Sequence, residues 1–311
     1  MRPSEMKMFS AVPNSAAMLA RREKMPVINA NKKGNPIKHP SAKGPRIFCD
    51  SAVKADIAPL LKAGLIHGIT TNPTLLKKAG AKSWKEAKAI MKDLCAMLYP
   101  LPVSLELTEL TEEKMFKQAS ELGALGKNAV IKVPMGGYPA VVDGGDPFTG
   151  LKVIRRLWEK GIKTNVTLIF NTTQAVWAAN AGATYISPFL GRIPDYLAKN
   201  DDPKKPSGNS LYWLGEGEAK TANTEYVASG GERRDAGARL IFEIAQVYAN
   251  YGITTEILAA SIRNPVQVTE CLLAGADILT VPANVLSTVA DHPLSDSGMV
   301  GFLEDSKAFS G

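Results

Sequence analysis

Lys132 stands in the run Ala129-Val130-Ile131-Lys132-Val133-Pro134, one amine in an otherwise apolar, strand-prone stretch. A run so dense in apolar residues reads as a strand buried on both faces. Carrying an ammonium into such surroundings is costly without compensation, which favours the neutral, nucleophilic amine. A neutral amine in an enclosed site is what Schiff-base formation with a carbonyl needs. Taken alone, Lys132 reads rather as a lysine whose stem lines a strand end while its head reaches water. The residues around it have to decide.

Those residues recur at matching places along the chain. Strand-like runs occur at about 46–50, 66–71, 102–107, 129–134, 163–168, 184–189, 254–260 and 277–281. Between them lie helical periods, such as Met115, Ala119 and Leu122 after the acidic start Glu112-Glu113, with glycine expected as the stop at Gly64, Gly123, Gly182, Gly252 and Gly275. Eight alternating βα units predict an α/β fold, a closed (β/α)8 TIM barrel in a single domain. The rival is an open doubly wound sheet, which usually places a glycine-rich phosphate turn after its first strand. Here Asp50-Ser51-Ala52 follows the first strand, without that pattern.

In such barrels the chemistry gathers at the C-terminal strand ends. Those ends carry Asp50, Thr71 with Asn72, Glu106, Lys132, Asn165 with Thr167, Ser187 with Phe189, and Ser261 with Arg263. One polar strand end means little, but their repetition predicts a site. Some have bland alternatives: Asp50 and Ser261 as helix caps, and Arg263, like Arg192 after the sixth strand, as a surface ion-pair partner.

Composition narrows the function classes. The chain of 311 residues is 45% hydrophobic and 22% charged, ordinary for a globular protein, and no apolar run is long enough to cross a bilayer. Cys49, Cys95 and Cys271 are odd in number and widely spaced, which predicts neither a disulfide framework nor a metal site and fits a reducing compartment. Histidine is scarce, so proton transfer is expected to run on carboxylates, lysine or water. The net charge of +7 belongs to residues 1–45, where nine Lys and Arg stand against two Glu. That segment reads as a flexible basic arm, either a solvated tail or an organelle transit segment, and the catalytic domain as 46–311. The neutral remainder argues against nucleic acid as a partner.

Seven segments in order carry a resemblance: Phe48-Cys49-Asp50-Ser51, Gly68-Ile69-Thr70-Thr71-Asn72-Pro73, Val103-Ser104-Leu105-Glu106, Val130-Ile131-Lys132-Val133-Pro134, Lys163-Thr164-Asn165-Val166-Thr167-Leu168, Ser187-Pro188-Phe189-Leu190-Gly191-Arg192 and Ala259-Ala260-Ser261-Ile262-Arg263. The chain resembles the transaldolases, lysine-dependent class I aldolase barrels whose Schiff-base lysine lies on the fourth strand. The resemblance implies that Lys132 forms the iminium, that Asp50 takes the proton from the hydroxyl beside the breaking carbon–carbon bond, and that Glu106 with Thr167 moves protons through water. It implies that Asn72, Asn165 and Ser187 hold the dihydroxyacetone unit, with Phe189 beside them, and that Arg192, Ser261 and Arg263 hold a distant phosphate. It further implies a cytoplasmic homo-oligomer of the pentose phosphate pathway acting on sugar phosphates, with no cofactor, metal, membrane or nucleic acid.

The nearest rival is a fructose-6-phosphate aldolase, a relative that typically carries glutamine where this chain has Glu106 and tyrosine where it has Phe189. A non-catalytic sugar-phosphate-binding barrel is the other alternative, opposed by the joint presence of Lys132, Asp50 and Glu106. Two connections depart from compact family members: 136–148 after strand four and about 196–232 after strand six. Long connections at this face read either as surface insertions or as parts of an acceptor pocket or oligomer contact. The C-terminal stripe Met299, Phe302 and Leu303 is expected to face the core.

Overall fold

The computed structural model describes residues 44–138, 140–199 and 235–309. The basic arm, most of the 196–232 connection and the aromatic residues Tyr212, Trp213 and Tyr226 therefore lie outside the described residues. Eight parallel strands close a barrel in sequence order: β1 (Arg46–Asp50), β2 (Ile69–Thr70), β3 (Val103–Glu106), β4 (Ala129–Pro134), β5 (Thr164–Ile169), β6 (Tyr185–Pro188), β7 (Glu256–Ala259) and β8 (Ile278–Val281). The expected (β/α)8 barrel is the fold. Helix α1 (Lys54–Lys62) follows β1, α2 (Pro73–Lys78) and α3 (Trp84–Leu98) follow β2, and α4 (Glu112–Gly123) follows β3. Next come α5 (Thr149–Glu159), α6 (Thr172–Ala181), α7 (Arg192–Lys199), α8 (Ala236–Tyr251), α9 (Pro265–Ala274), α10 (Ala283–Ala290) and α11 (Pro293–Ser306).

Strand alternation explains the runs that looked apolar throughout. In β4, Ile131 and Val133 join the large outer core between strands and helices. Val130 instead belongs to a separate cluster with Phe48, Tyr185, Leu258, Ala260 and Ile278, an apolar plug inside the barrel. Two residues further along β1, β4, β6 and β8 the inward position turns polar: Asp50 after Phe48, Lys132 after Val130, Ser187 after Tyr185, Thr280 after Ile278. The period of two therefore lays a polar layer directly on an apolar floor. Phe48 meets Tyr185 edge to face at 6.4 Å between ring centres. Gly68 makes room for it, because a Cβ there would come within 2.8 Å of both the Phe48 ring and the Pro102 carbonyl.

Helix punctuation follows side-chain chemistry. Asn72, Ser83, Asn171, Asp235 and Asn264 each accept a bond from a first-turn backbone N–H. Gly182, Gly252 and Gly275 are left-handed C-caps, as expected. Two glycine stops need correction: Gly123 is the last residue of α4, and Ala63 rather than Gly64 caps α1. Asp50 and Ser261 are not N-caps; Val53 precedes α1 and Asn264 caps α9.

The C-terminal stripe is a second correction. Met299, Phe302 and Leu303 are 53%, 69% and 60% exposed, and no residue of α11 is buried. Its apolar residues run around the helix without a polar face to separate them, so the spacing mimicked a core stripe that the barrel does not cover. All three cysteines are buried, and none is in a disulfide. Among the described residues no helix is long and apolar enough to cross a membrane.

Candidate active site at the barrel mouth

Lys132 is 3% exposed, with its Nζ 2.8 Å from Glu106 Oε2. The strand register sets this contact, since Glu106 and Lys132 are direct partners across β3 and β4. The lone amine foreseen in an apolar strand is thus half of a buried ion pair. A carboxylate beside it meets the cost of burial, a pairing that spacing along the chain does not reveal. The Thr71 carbonyl lies 3.5 Å from the same Nζ, and the Phe189 ring centre 5.3 Å away.

The charge of Lys132 also acts on Asp50 at the end of β1. Its Oδ1 accepts from the Thr70 hydroxyl at 2.6 Å, and Thr70 Oγ1 lies 2.5 Å from Thr280 Oγ1. Burial pushes the Asp50 carboxyl above its ordinary range, while Lys132, the Thr70 bond and Lys78 act against that rise. One wall is a fixed amide network: Ser187 Oγ donates to Asn165 Oδ1 at 2.7 Å, and Asn165 Nδ2 donates to Ser104 Oγ at 3.1 Å. Thr167 Oγ1 is buried with no hydrogen-bond partner among the described residues. An unpartnered buried hydroxyl is costly, so this atom is available to a bound group. Asn72 Oδ1 is committed to capping α2 through Leu75 N at 2.9 Å, which leaves its amide N–H groups for other contacts.

The two arginines sit at the rim. The bridge between Phe189 and Ala260 extends the β6–β7 pairing outward, and Leu190 N donates to the Ala260 carbonyl. Gly191 then passes so close to the next strand end that a Cβ would lie 2.1 Å from the Ser261 carbonyl and 2.8 Å from Arg263 Nε. This crossing brings the Arg192 turn against Ser261 and Arg263. Arg192 stands 5.7 Å from the Phe189 ring centre. Arg263 Nη2 is 2.9 Å from Asp195 Oδ2, an exposed pair, while its backbone N–H donates to Gln267, which itself donates to buried Asp235. The barrel thus gathers Lys132, Glu106, Asp50, Thr167, Asn165, Ser187 and Phe189 at the mouth, with Asn72 at its side and Arg192, Ser261 and Arg263 about 70 residues apart in sequence but joined at one edge.

Backbone strain falls at the same face. Tyr138, Leu168 and Ser261 adopt positive φ of 54°, 60° and 64°, each just beyond or within a strand end. Tyr138 belongs to the 136–148 connection, which folds tightly on itself: a Cβ on Gly137 would lie 1.7 Å from the Asp146 carbonyl. The Tyr138 hydroxyl donates to the Pro134 carbonyl at 2.5 Å, and burial together with the Glu106 charge raises its phenol. Phe148 packs on Trp177 of α6 at 5.7 Å, pinning the loop to the barrel. Among the described residues no three His, Cys, Asp or Glu side chains gather as a metal site. Thr70, Ser104, Thr280 and Tyr138 went unread in the sequence. The signal for the first three was their phase, since each shares the inward alternation of a strand that carries a site residue or plug residue.

The model of the family described as Transaldolase/Fructose-6-phosphate aldolase matches residues 47–310. The chain belongs to this family. The match takes in all eight strands and therefore the whole barrel mouth. Among curated relatives it is similar to a probable transaldolase of Desulforapulum autotrophicum, 39% identical over 262 residues that cover 84% of this chain and 97% of the relative. A probable transaldolase of Clostridium tetani is 37% identical over 265 residues, 85% of this chain and 99% of the relative. One of Thermoplasma volcanium is 36% identical over 265 residues, 85% and 96% respectively. Family membership thus rests on the barrel as a unit, and the basic arm lies outside the family match.

Proposed function

We propose that the chain is a transaldolase, moving a dihydroxyacetone unit from a ketose phosphate such as fructose 6-phosphate or sedoheptulose 7-phosphate to an aldose phosphate. The observation that carries this reading is the buried Lys132 amine above the apolar floor, 2.8 Å from a carboxylate and close enough for its charge to act on Asp50. Lys132 Nζ attacks the ketose carbonyl once its proton has passed to Glu106. Loss of water from the carbinolamine leaves an iminium, and Thr167 with Glu106 holds the water involved. Asp50 then takes the proton from the hydroxyl on the carbon that becomes the aldehyde. The carbon–carbon electrons move into the iminium to give an enamine, and the aldehyde departs. Addition to the acceptor reverses these steps, with Asp50 returning the proton.

Asn165, Ser187 and Asn72 supply hydrogen bonds to the retained three-carbon unit, and Phe189 lines its pocket. Arg192, Arg263 and Ser261 receive the phosphate; guanidinium groups match phosphate with paired donors. The carboxylate at position 106 and the phenyl ring at 189 support transfer over simple release of dihydroxyacetone. A homo-oligomer is part of this reading, supported by the uncovered apolar residues of α11, and sedimentation of the full chain tests it. Three buried cysteines outside any disulfide support a reducing, cytoplasmic setting for pentose phosphate chemistry.

Borohydride reduction with fructose 6-phosphate, followed by peptide mass spectrometry, tests the core of the proposal. A reduced adduct on Lys132 is expected, with product formation requiring an aldose phosphate. An adduct on another lysine would overturn the mechanism. Free dihydroxyacetone released at the same rate without acceptor would move the assignment to the aldolase branch.

A further inference from the structure

Asp50 does not stand alone against its substrate; it ends a chain of three groups from three adjacent strands. Thr70 lies directly opposite Asp50 in the β1–β2 register, and β8 closes the barrel on the other side of β1. Thr70 Oγ1 is 2.6 Å from Asp50 Oδ1 and 2.5 Å from Thr280 Oγ1, and both hydroxyls are buried. The proton directions follow from valence. A carboxylate only accepts, so the single Thr70 proton points to Asp50. Thr70 then has only lone pairs to offer Thr280, so the Thr280 proton must point to Thr70. The chain runs one way: Thr280 to Thr70 to Asp50.

We infer that Thr280 is a positioning residue for the proton transfer at Asp50: its hydroxyl locks the Thr70 hydroxyl onto Oδ1, which leaves Oδ2 as the oxygen that meets the substrate. The inference rests on the reading of Asp50 as the base. Among the described residues the Thr280 hydroxyl bonds to Thr70 and makes no hydrogen bond to the carboxylate, so its influence passes through Thr70. Successive hydrogen bonds polarise one another, so the first bond strengthens the second. In a buried setting that effect favours the carboxylate, the form a base must have before turnover. The other charged groups acting on Asp50 are Lys132 from β4 and Lys78 from α2, both favouring the carboxylate, with Glu106 of β3 bonded to Lys132.

The test compares Thr280→Val, which keeps the shape and loses the hydroxyl, with Thr280→Ser, which keeps the hydroxyl. The reaction of fructose 6-phosphate with an aldose phosphate acceptor is followed from pH 4 to 9 as kcat/KM and kcat, beside borohydride trapping at saturating donor. For the valine variant the acid limb is expected to move up by about half a pH unit and kcat to fall about fivefold, with the adduct on Lys132 still formed. The serine variant should return to within about twofold of the parent. A valine variant with the parent's pH profile and kcat overturns the inference. So does a serine variant as impaired as the valine one, since shape rather than the hydroxyl would then matter. Where the valine variant does not fold, Thr280→Ala against Thr280→Ser reads the same hydroxyl by the same two criteria. Asp50→Asn separates the two layers of the argument: retained cleavage there removes Asp50 as base. Lost cleavage with an unaltered Thr280→Val profile removes only the relay.

Discussion

Replacing Glu106 by glutamine takes one negative charge out of a 2.8 Å contact and leaves the side chain's shape in place. At an effective dielectric of about 20, the bare attraction at that distance is about 6 kcal/mol. Much of this offsets the cost of taking both groups out of water, and their side chains are only 4% and 11% exposed. Removing one partner of a buried pair costs about 3–5 kcal/mol. The glutamine carbonyl still accepts a bond from the amine, so the expected loss is near the lower end, about 3 kcal/mol. For a chain of this size that corresponds to roughly 5 °C in Tm. Proton transfer should suffer more: losing a positioned base slows a step by about 10²–10⁴-fold. Scanning calorimetry and the time course of borohydride trapping with fructose 6-phosphate read the two effects separately. Trapping at the parent rate, with Tm lowered, would show that Glu106 only balances charge and moves no proton. The double variant Lys132→Met with Glu106→Leu is the control: both charges go together, stability should return close to the parent, and no adduct should form.

Asp50→Asn should leave trapping intact and reduce cleavage by about a thousandfold, read by coupled product assay. Because burial raises the folded-state carboxyl, the Asp50 stability contribution is favourable below its unfolded range and is lost as pH rises through the folded value. The asparagine variant should therefore match the parent in Tm near pH 3 and exceed it near pH 8; the opposite trend would contradict the buried placement. Arg192→Ala and Arg263→Ala should each lower kcat/KM for phosphorylated sugars by about 10–150-fold while sparing unphosphorylated ones, as loss of a charge-assisted contact costs about 1.5–3 kcal/mol. Equal losses for both substrate classes would make these arginines structural. At the opposite pole, Arg46 and Glu256 form a partly buried pair at 2.5 Å between the starts of β1 and β7. Glu256→Ala should cost about 3 kcal/mol in denaturant unfolding with kcat/KM unchanged at 25 °C, and a matching loss of activity would tie that pole to the site.

Much of the barrel was written in local pattern. Eight strand-like runs separated by helical periods place every strand within a few residues, because alternation and capping are properties of neighbours in the chain. The strand ends also named Lys132, Asp50, Asn165 and Ser187 as site residues, since barrel chemistry gathers there, while their shared inward phase became visible only once the two core clusters separated. The sequence stopped where meaning depended on a second strand. Lys132 read as a solitary amine, yet the β3–β4 register supplies Glu106 as its counter-charge. Asn72 read as a substrate ligand, while its oxygen is already spent on a helix N-terminus. Thr280 and Thr70 were unremarked threonines 210 positions apart, and only closure of β8 onto β1 and β2 lays one hydroxyl against the other. Met299, Phe302 and Leu303 kept a buried helix's composition, but burial depends on what lies opposite, and no part of the barrel does. The sequence by itself determined which elements form and which residues of each share a face, because those follow from dihedral period and local hydrogen bonding. The tertiary structure alone decided which polar atoms share a proton and which apolar residues lose water, because both depend on distances set when the barrel closes.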